Sequence, residues 1–533
     1  MSDPAEVTLE GTRRPKLSLA TLSLVLFLTF LDNTVISVTL ANVQSTLKAG
    51  VTDLQWVVGA YALVFATLML PAGALSDLLG RKKVMLTGVA VFCLGSVIGA
   101  LAQNVDMLWA GRAVMGLGAA ASEPGTLSMI RHLFPDRRDR AQALGVWAAI
   151  SGLALAAGPI IGGVLIGLWS FRAVFWFNLF FGALAFAGAV AVLPENSDPS
   201  RRERDVGGFT LGIAGIACAT FATIAGETSG YATSWVEALF AAAGLLLVAF
   251  VLVERRAADP MLNVHFFRLG AFSSSTYVAF ATYFGVFSIF FFVSLYLEEV
   301  GSQSGYSIAL DFLPMAAVMV VASALTGRWV AAMGPRLPMT AGSLLGCAGI
   351  VWTALAVSPT SGLGQLGVPL ALTGLGFGIT VVPVTSVALN VIPPEHSGMA
   401  ASATNTSREL GALAGVAVLG SVVNGQLTVD LMRRLAAIGV PEAYRHLVIN
   451  AVVTGSITSQ ASSAEKNKAI AAIVKKVTGA AYGAFTNGLH LALGISGALL
   501  FAAALAAAVW VRRPSAARAA QLGLPAPAVS PEG

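Results

Sequence analysis

Residues 73–85 read GALSDLLGRKKVM. Gly73 and Gly80 allow neighbouring helices to approach closely and the chain to turn tightly. Asp77 is an acceptor placed to meet Arg81 or the N-terminus of a neighbouring helix. Arg81, Lys82 and Lys83 close the segment. Apolar runs flank it, 54–76 before and 84–103 after. Each run is close to the roughly 20 residues that a helix needs to cross a bilayer. The stretch therefore reads as a short turn between two membrane spans, on the side where basic residues collect.

The same pattern fills the chain. Of 533 residues, 56% are hydrophobic and 11% charged, and the mean hydropathy is +0.78. Soluble domains carry about 25% charged residues. An ordinary soluble protein is thereby excluded, as are disordered, fibrous and disulfide-stapled classes. Apolar runs fall near 17–41, 54–76, 84–103, 107–130, 141–167, 172–193, 208–227, 235–253, 271–297, 306–330, 338–357, 364–390, 398–422 and 486–511. These predict an all-α polytopic membrane protein with fourteen spans.

Basic residues mark one side. They precede span 1 (Arg13, Arg14, Lys16) and follow span 2 (Arg81, Lys82, Lys83) and span 4 (Arg131, Arg137, Arg138, Arg140). They also follow span 6 (Arg201, Arg202, Arg204), span 8 (Arg255, Arg256, Arg268) and span 14 (Arg512, Arg513, Arg518). The alternate short loops carry little beyond Lys48. The positive-inside rule puts both termini in the cytoplasm. The net charge of +5 is thus a topology signal and gives no reason to expect nucleic acid. The long stretch 423–485 falls outside, where long loops are exempt from the charge rule; small helices are expected near 426–438 and 464–478. The first sixteen residues are polar and carry no cleavable signal pattern. Cys93, Cys218 and Cys347 lie singly in apolar runs, without metal spacing, so no metal or other cofactor is expected.

The turn at 73–85 has an echo. Gly327-Arg-Trp-Val-Ala-Ala-Met-Gly334-Pro-Arg336 ends span 10 with the same glycine spacing. Gly116-Leu-Gly118 with Pro124 in span 4 is matched by Gly374-Leu-Gly376 with Pro383 in span 12. Spans 2 and 4 correspond to spans 10 and 12, an offset of eight. The arrangement is 6+2+6, two six-helix halves with two helices inserted. Repeated halves around a midplane site are what alternating-access transporters are built from.

Three further motifs accompany the turn: LDNTVISVTLANV (31–43), LWAGRAVMGLGAA (108–120) and SGLALAAGPIIGG (151–163). Together, in this order, they resemble the major facilitator superfamily, and within it the fourteen-span drug:proton antiporter-2 family. The resemblance implies the major facilitator fold with 14 transmembrane helices. Its organisation would be a cytoplasmic tail 1–16, a first bundle 17–193, an inserted pair with flanking loops 194–270, a second bundle 271–511 including the external loop 423–485, and a tail 512–533. It implies that Gly73, Asp77, Gly80 and Arg81 form a latch closing the cytoplasmic side, although Leu78 stands where the family usually has a basic residue. It implies that Gly158, Pro159, Gly162 and Gly163 are an antiporter motif, favouring export over uptake; the structural alternative is plain helix packing.

Charged residues inside spans carry the candidate chemistry, because they are expensive there. Asp32, near mid-membrane and unpaired in the sequence pattern, is the leading proton-coupling residue and a candidate cation ligand. Arg112 must face water or a carboxylate; the resemblance links it to proton handling, with Met115 in place of the family's usual Gln. Glu123, eleven residues on, returns to nearly the same helix face and is a third coupling candidate, unless it ties to a neighbouring helix. The resemblance implies that Asp311 and Glu409 help to recognise cationic drugs, although Glu409 stands where many family members carry Gln and is otherwise a partner for a neighbouring helix. Asp311 could equally be an interfacial cap, and Arg408 beside Glu409 points about 100° away on a helix. Trp169, Arg172 and Asn178 read as anchoring residues, and Phe287, Phe290, Phe291 and Phe292 as a lipid-facing cluster.

The expected function is proton-coupled efflux of lipophilic, cationic drugs by alternating access, with the proton gradient as energy source and no ATP-binding GxxxxGK[ST] motif. The alternative is a dedicated exporter of a self-made metabolite, antibiotic or lipid. A polytopic membrane enzyme is a remote third reading, since no catalytic cluster is evident. Expected partners are a small substrate, protons and lipids, around a monomer. Arg outnumbers Lys about three to one, which points to a bacterial, GC-rich source and a cytoplasmic-membrane location.

Overall fold

The computed structural model describes residues 15–49, 51–195, 206–257, 260, 262–301, 303, 305–393, 396–438, 440–442, 445 and 468–511. The basic residues 13–14, 201–204 and 512–518 lie outside the described residues, so that part of the topology reading rests on sequence.

The described residues are helical almost throughout, because a bilayer offers no partners for free backbone groups. The first six helices are α1 (Pro15–Leu47), α2 (Val51–Leu79), α3 (Arg81–Ala100), α4 (Val105–Leu133), α5 (Arg137–Leu168) and α6 (Arg172–Val192). The inserted pair is α7 (Val206–Ser229) and α8 (Ser234–Glu254). Span 9 comprises α9 (Gly270–Ser288), a π-helical turn (Ile289–Val293) and α10 (Ser294–Glu299). Spans 10 to 14 are α11 (Gly305–Met333), α12 (Arg336–Ala356), α13 (Leu363–Val391), α14 (Ser397–Ala437) and α15 (Lys468–Trp510). Twelve of these spans are long and apolar enough to cross a membrane. The two outside that set are α4 and α5, of 29 and 32 residues; α4 carries Arg112 and Glu123 in its interior, and α5 begins with a charged turn.

In the first half α4 packs on α2 and α3, α1 on α5 and α6, and α3 on α6. In the second half α13 packs on α11 and α12, α14 on α9 and α15, and α12 on α15. The inserted α7 lies against α2 and α14 and carries α8 on its outer side. The halves meet through α2 on α14, α5 on α11, α4 on α14 and α5 on α13.

The repeat seen in the sequence governs these crossings. A Cβ on Gly118 would sit 2.3 Å from the Phe92 nitrogen of α3; one on Gly376 would sit 2.1 Å from the Gly346 nitrogen of α12. A Cβ on Gly116 would lie 2.6 Å from the Tyr61 carbonyl oxygen of α2, and one on Gly374 would overlap the Met315 carbonyl of α11. Between halves, Gly73 of α2 meets α14, and a Cβ on Gly327 of α11 would overlap the Ala141 carbonyl of α5. Gly80 and Gly334 both hold positive φ, 106° and 82°, which L side chains adopt only with strain.

Two expectations are corrected. The small helices near 426–438 and 464–478 are not separate elements where described: the first belongs to α14 and residues from Lys468 onward to α15. Leu427, Leu431 and Leu435 recur every fourth residue and bury against Val477, Ala480, Ala481 and Ala484, so the apolar stripe carries both helices past the membrane boundary. The span 9 aromatics do not all face lipid. Phe292 is buried, Phe290 stacks on Phe312 at 5.0 Å and Phe287 on Tyr283 at 6.0 Å, leaving Phe291 exposed.

Candidate functional site

Asp77 makes both contacts open to it. Arg81 donates to its Oδ1 through Nε at 3.1 Å and Nη2 at 2.9 Å. The amides of Gly398 and Met399, in the first turn of α14, donate to its Oδ1 and Oδ2 at 3.1 Å each. His396, at the cap position of α14, supplies no side-chain cap; an acid from the other half does. Gly73 makes this possible, since a Cβ there would lie 1.5 Å from Ser402 Oγ and 2.9 Å from the Gly398 carbonyl. The repeat breaks at this point. The residue four after Gly327 is Ala331, and the matching helix α5 caps itself: Asp136 accepts from the amides of Arg138 and Asp139 at 2.7 and 3.2 Å. Those amides hold the exposed Asp136 carboxyl below the usual carboxylate range. Nearby, Arg131 donates to the Pro393 carbonyl at 3.4 Å and Arg140 to the Asn390 side chain. These contacts join the halves at the end that carries the Asp77 cluster.

Deeper in the first half, Asp32 is fully buried and is not unpaired as the sequence suggested. Arg112 donates from Nη1 to Asp32 Oδ2, and Asn178 donates from Nδ2 to Asp32 Oδ1 at 2.8 Å. Arg112 also donates from Nε to the Val57 carbonyl at 2.9 Å and lies 4.5 Å from the Tyr61 ring centroid. Four helices, α1, α2, α4 and α6, thus hold one ion pair. Asn178, expected as an anchoring residue, is instead a partner of Asp32, and Tyr61 was not anticipated. The available signal was an amide inside an apolar span, which seeks a partner when water is absent.

Glu123 stands at the junction of the halves. It is buried, and its Oε2 has no hydrogen-bond partner among the described residues. Arg408 and Glu409 of α14 act on it electrostatically across the interface. Arg408 is buried and Glu409 half-buried, so neighbours some 100° apart both contribute. Asp311 is elsewhere. It lies near the N-terminal ends of α11 and α13, beside the Leu363 backbone and the Gln303 side chain.

The glycine motif of α5 packs against α1. A Cβ on Gly158 would lie 1.9 Å from Thr34 Oγ1. Gly162 is buried, and a Cβ on Gly163 would meet nothing within 4 Å among the described residues. Through Gly158 and Pro159, α5 is one uninterrupted helix.

Two helical bundles related by an internal repeat, joined at one end by the Asp77 cluster and with buried charged residues beside their junction, are the architecture of an integral membrane transporter. Residues 22–416 match the Major Facilitator Superfamily, and the chain belongs to that superfamily. It is 30% identical over 449 residues to the Multidrug resistance protein Stp of Mycobacterium tuberculosis, covering 84% of this chain and 83% of that one. It is 34% identical over 406 residues to the Methylenomycin A resistance protein of Bacillus subtilis, covering 76% and 87%. Among solved structures it resembles the human organic anion transporter MFSD10, with a TM-score of 0.64 at 15% identity over 92% of this chain and 99% of that one. That likeness concerns the fold.

Proposed function

We propose that this chain is a drug-efflux transporter that exports lipophilic, cationic molecules in exchange for protons by alternating access. Its relatives are named for multidrug and antibiotic resistance, and proton coupling is typical of the family. The observation that carries the reading is the set of buried acids at and beside the junction of the halves. Asp32 and Glu123 are both buried within the first half, where an ionised carboxylate is stable only with a partner. Protonation of Asp32 would release Arg112; loss of the proton would restore the pair. Glu123 of the first half and Glu409 of the second, set across the junction from each other, would take the cation. Each charge moved across the membrane adds a voltage term of about 2.3 kcal/mol per 100 mV. The Asp77 latch would hold the cytoplasmic side shut while the outer side exchanges drug for proton. The location would be a bacterial cytoplasmic membrane, with the chain acting as a monomer.

The test is transport in liposomes. Purified protein with an imposed pH gradient is expected to move ethidium, and an ionophore that collapses the gradient is expected to stop it. Ethidium flux unaffected by the ionophore would contradict the coupling. Folded protein that moves no cation would favour a dedicated exporter of a neutral or anionic product.

A further inference from the structure

The guanidinium of Arg408 sits between the two halves in a cradle of aromatic rings. It lies 5.2 Å from the centroid of Trp147, on α5 of the first half, and 5.6 Å from that of Tyr283, on α9 of the second. Both rings are buried. Two short-range partners fix its direction: Arg408 donates to Asn405 Oδ1 at 2.9 Å and to Thr385 Oγ1. Trp147 is fixed in turn, donating from Nε1 to Thr126 Oγ1 at 3.1 Å. Rings that face a cation in this way are how proteins bind quaternary ammonium ligands. Here a side chain of the protein fills that place.

The acids around it make no ion pair with it among the described residues, yet they lie within electrostatic reach. Glu123 and Glu409 both feel Arg408, and Glu123 feels Glu409. Tyr283 senses the same three charges. Asp32 and Arg112, the next charges along, neutralise each other. With both acids ionised, the inter-half cluster therefore carries two negative charges and one fixed positive charge. One further positive charge balances it. A second would meet the guanidinium in a medium where like charges repel strongly.

We propose that Arg408 is a specificity-determining residue: a tethered cation that occupies the aromatic cradle between the halves and limits the site to substrates bearing one positive charge. This rests on the transport reading above and names the charge class that the site accepts. It assigns the adjacent residues distinct roles, with Glu409 attracting the substrate cation and Arg408 capping the total.

Ethidium and propidium test it, because they share a ring system and carry one and two positive charges. Binding and gradient-driven flux of both dyes would be measured for wild type, Arg408→Gln, Arg408→Lys and Glu409→Gln. Wild type is expected to prefer ethidium. Arg408→Gln is expected to shift the ratio toward propidium by roughly tenfold or more, and Arg408→Lys, which keeps the charge, to leave the ratio near wild type. A merely structural role would lower both dyes alike in the two Arg408 variants, and that result overturns the proposal. Should Arg408→Gln fail to fold, Glu409→Gln decides: the ratio is expected to move further toward ethidium, and an unchanged ratio overturns the proposal. A folded wild type that binds and moves neither dye removes the transport reading and this inference with it. Wild-type transport with a ratio indifferent to these substitutions removes this inference alone.

Discussion

At Asp32 the physical chemistry of a buried carboxylate can be followed atom by atom. The sequence shows an acid in the middle of an apolar run, and bilayer energetics alone mark it as functional. It also shows an arginine eighty residues later with the same problem. That the two solve it together is a tertiary fact, because the pairing of α1 with α4 cannot be read from periodicity. Asn178 was less legible still, since an amide in a span is neutral and common enough to pass for an anchor. The pair is expected to be unforgiving. Removing one member of a buried ion pair costs about 3–5 kcal/mol by leaving the other uncompensated. Arg112→Ala is therefore expected to lower thermal stability and abolish transport. Arg112→Lys is expected to restore little, because one ammonium lacks the fork that reaches both Val57 and Asp32. Transport at wild-type rates in Arg112→Lys would contradict this geometry.

At the level of helices, glycine decides who meets whom. The echo between 73–81 and 327–336 was visible because its spacing is local. What it could not reveal is the asymmetry in capping, where α14 borrows Asp77 from α2 while α5 uses its own Asp136. Gly73→Ala is expected to push α2 from α14 and expose the cytoplasmic ends to a water-soluble thiol reagent, read out with a single cysteine placed there. Ser402→Gly in the same chain is expected to rescue it in part, since it clears the nearest contacts but not the Gly398 carbonyl. No added labelling in Gly73→Ala would show that the close approach is dispensable. The Asp136 cap titrates in a definite direction. Its carboxyl is held below the usual range by the amides of Asp139 and Arg138, so the stability it adds is complete above about pH 4, the ordinary Asp value. That stability fades as pH falls through the lowered value. Asp136→Asn is thus expected to flatten acid-induced loosening of this turn, measured by hydrogen exchange. A turn whose exchange at low pH is the same in both proteins would exclude the cap from that role.

In the whole molecule, the fold class was legible from hydropathy, charge bias and the repeat, since these depend on length and period. The reach of α14 and α15 beyond the bilayer was not, because their outer stripe is too rich in polar residues to read as a span. The inter-half cluster was not legible either, as it needs α4, α5, α9 and α14 at one place. If the halves rock as bodies, cross-links within one half should be harmless and those between halves should not. Asp430 and Asn487 already touch, with Asn487 Nδ2 donating to Asp430 Oδ2 at 2.5 Å. A disulfide engineered from Asp430→Cys and Asn487→Cys is expected to leave flux intact. One from Gly145→Cys and Ser323→Cys, where a Cβ on Gly145 would be 3.0 Å from the Ser323 carbonyl, is expected to stop flux until reduced. Flux that persists with the second cross-link closed would rule out rocking about this contact. Competition between cation and proton for buried carboxylates can be tested without any membrane gradient. Ethidium would be added to purified protein in weakly buffered solution and the pH followed. Release of protons on binding, diminished in Asp32→Asn, Glu123→Gln or Glu409→Gln, is the expected result. Stoichiometric ethidium binding with no proton released by the wild type would contradict it.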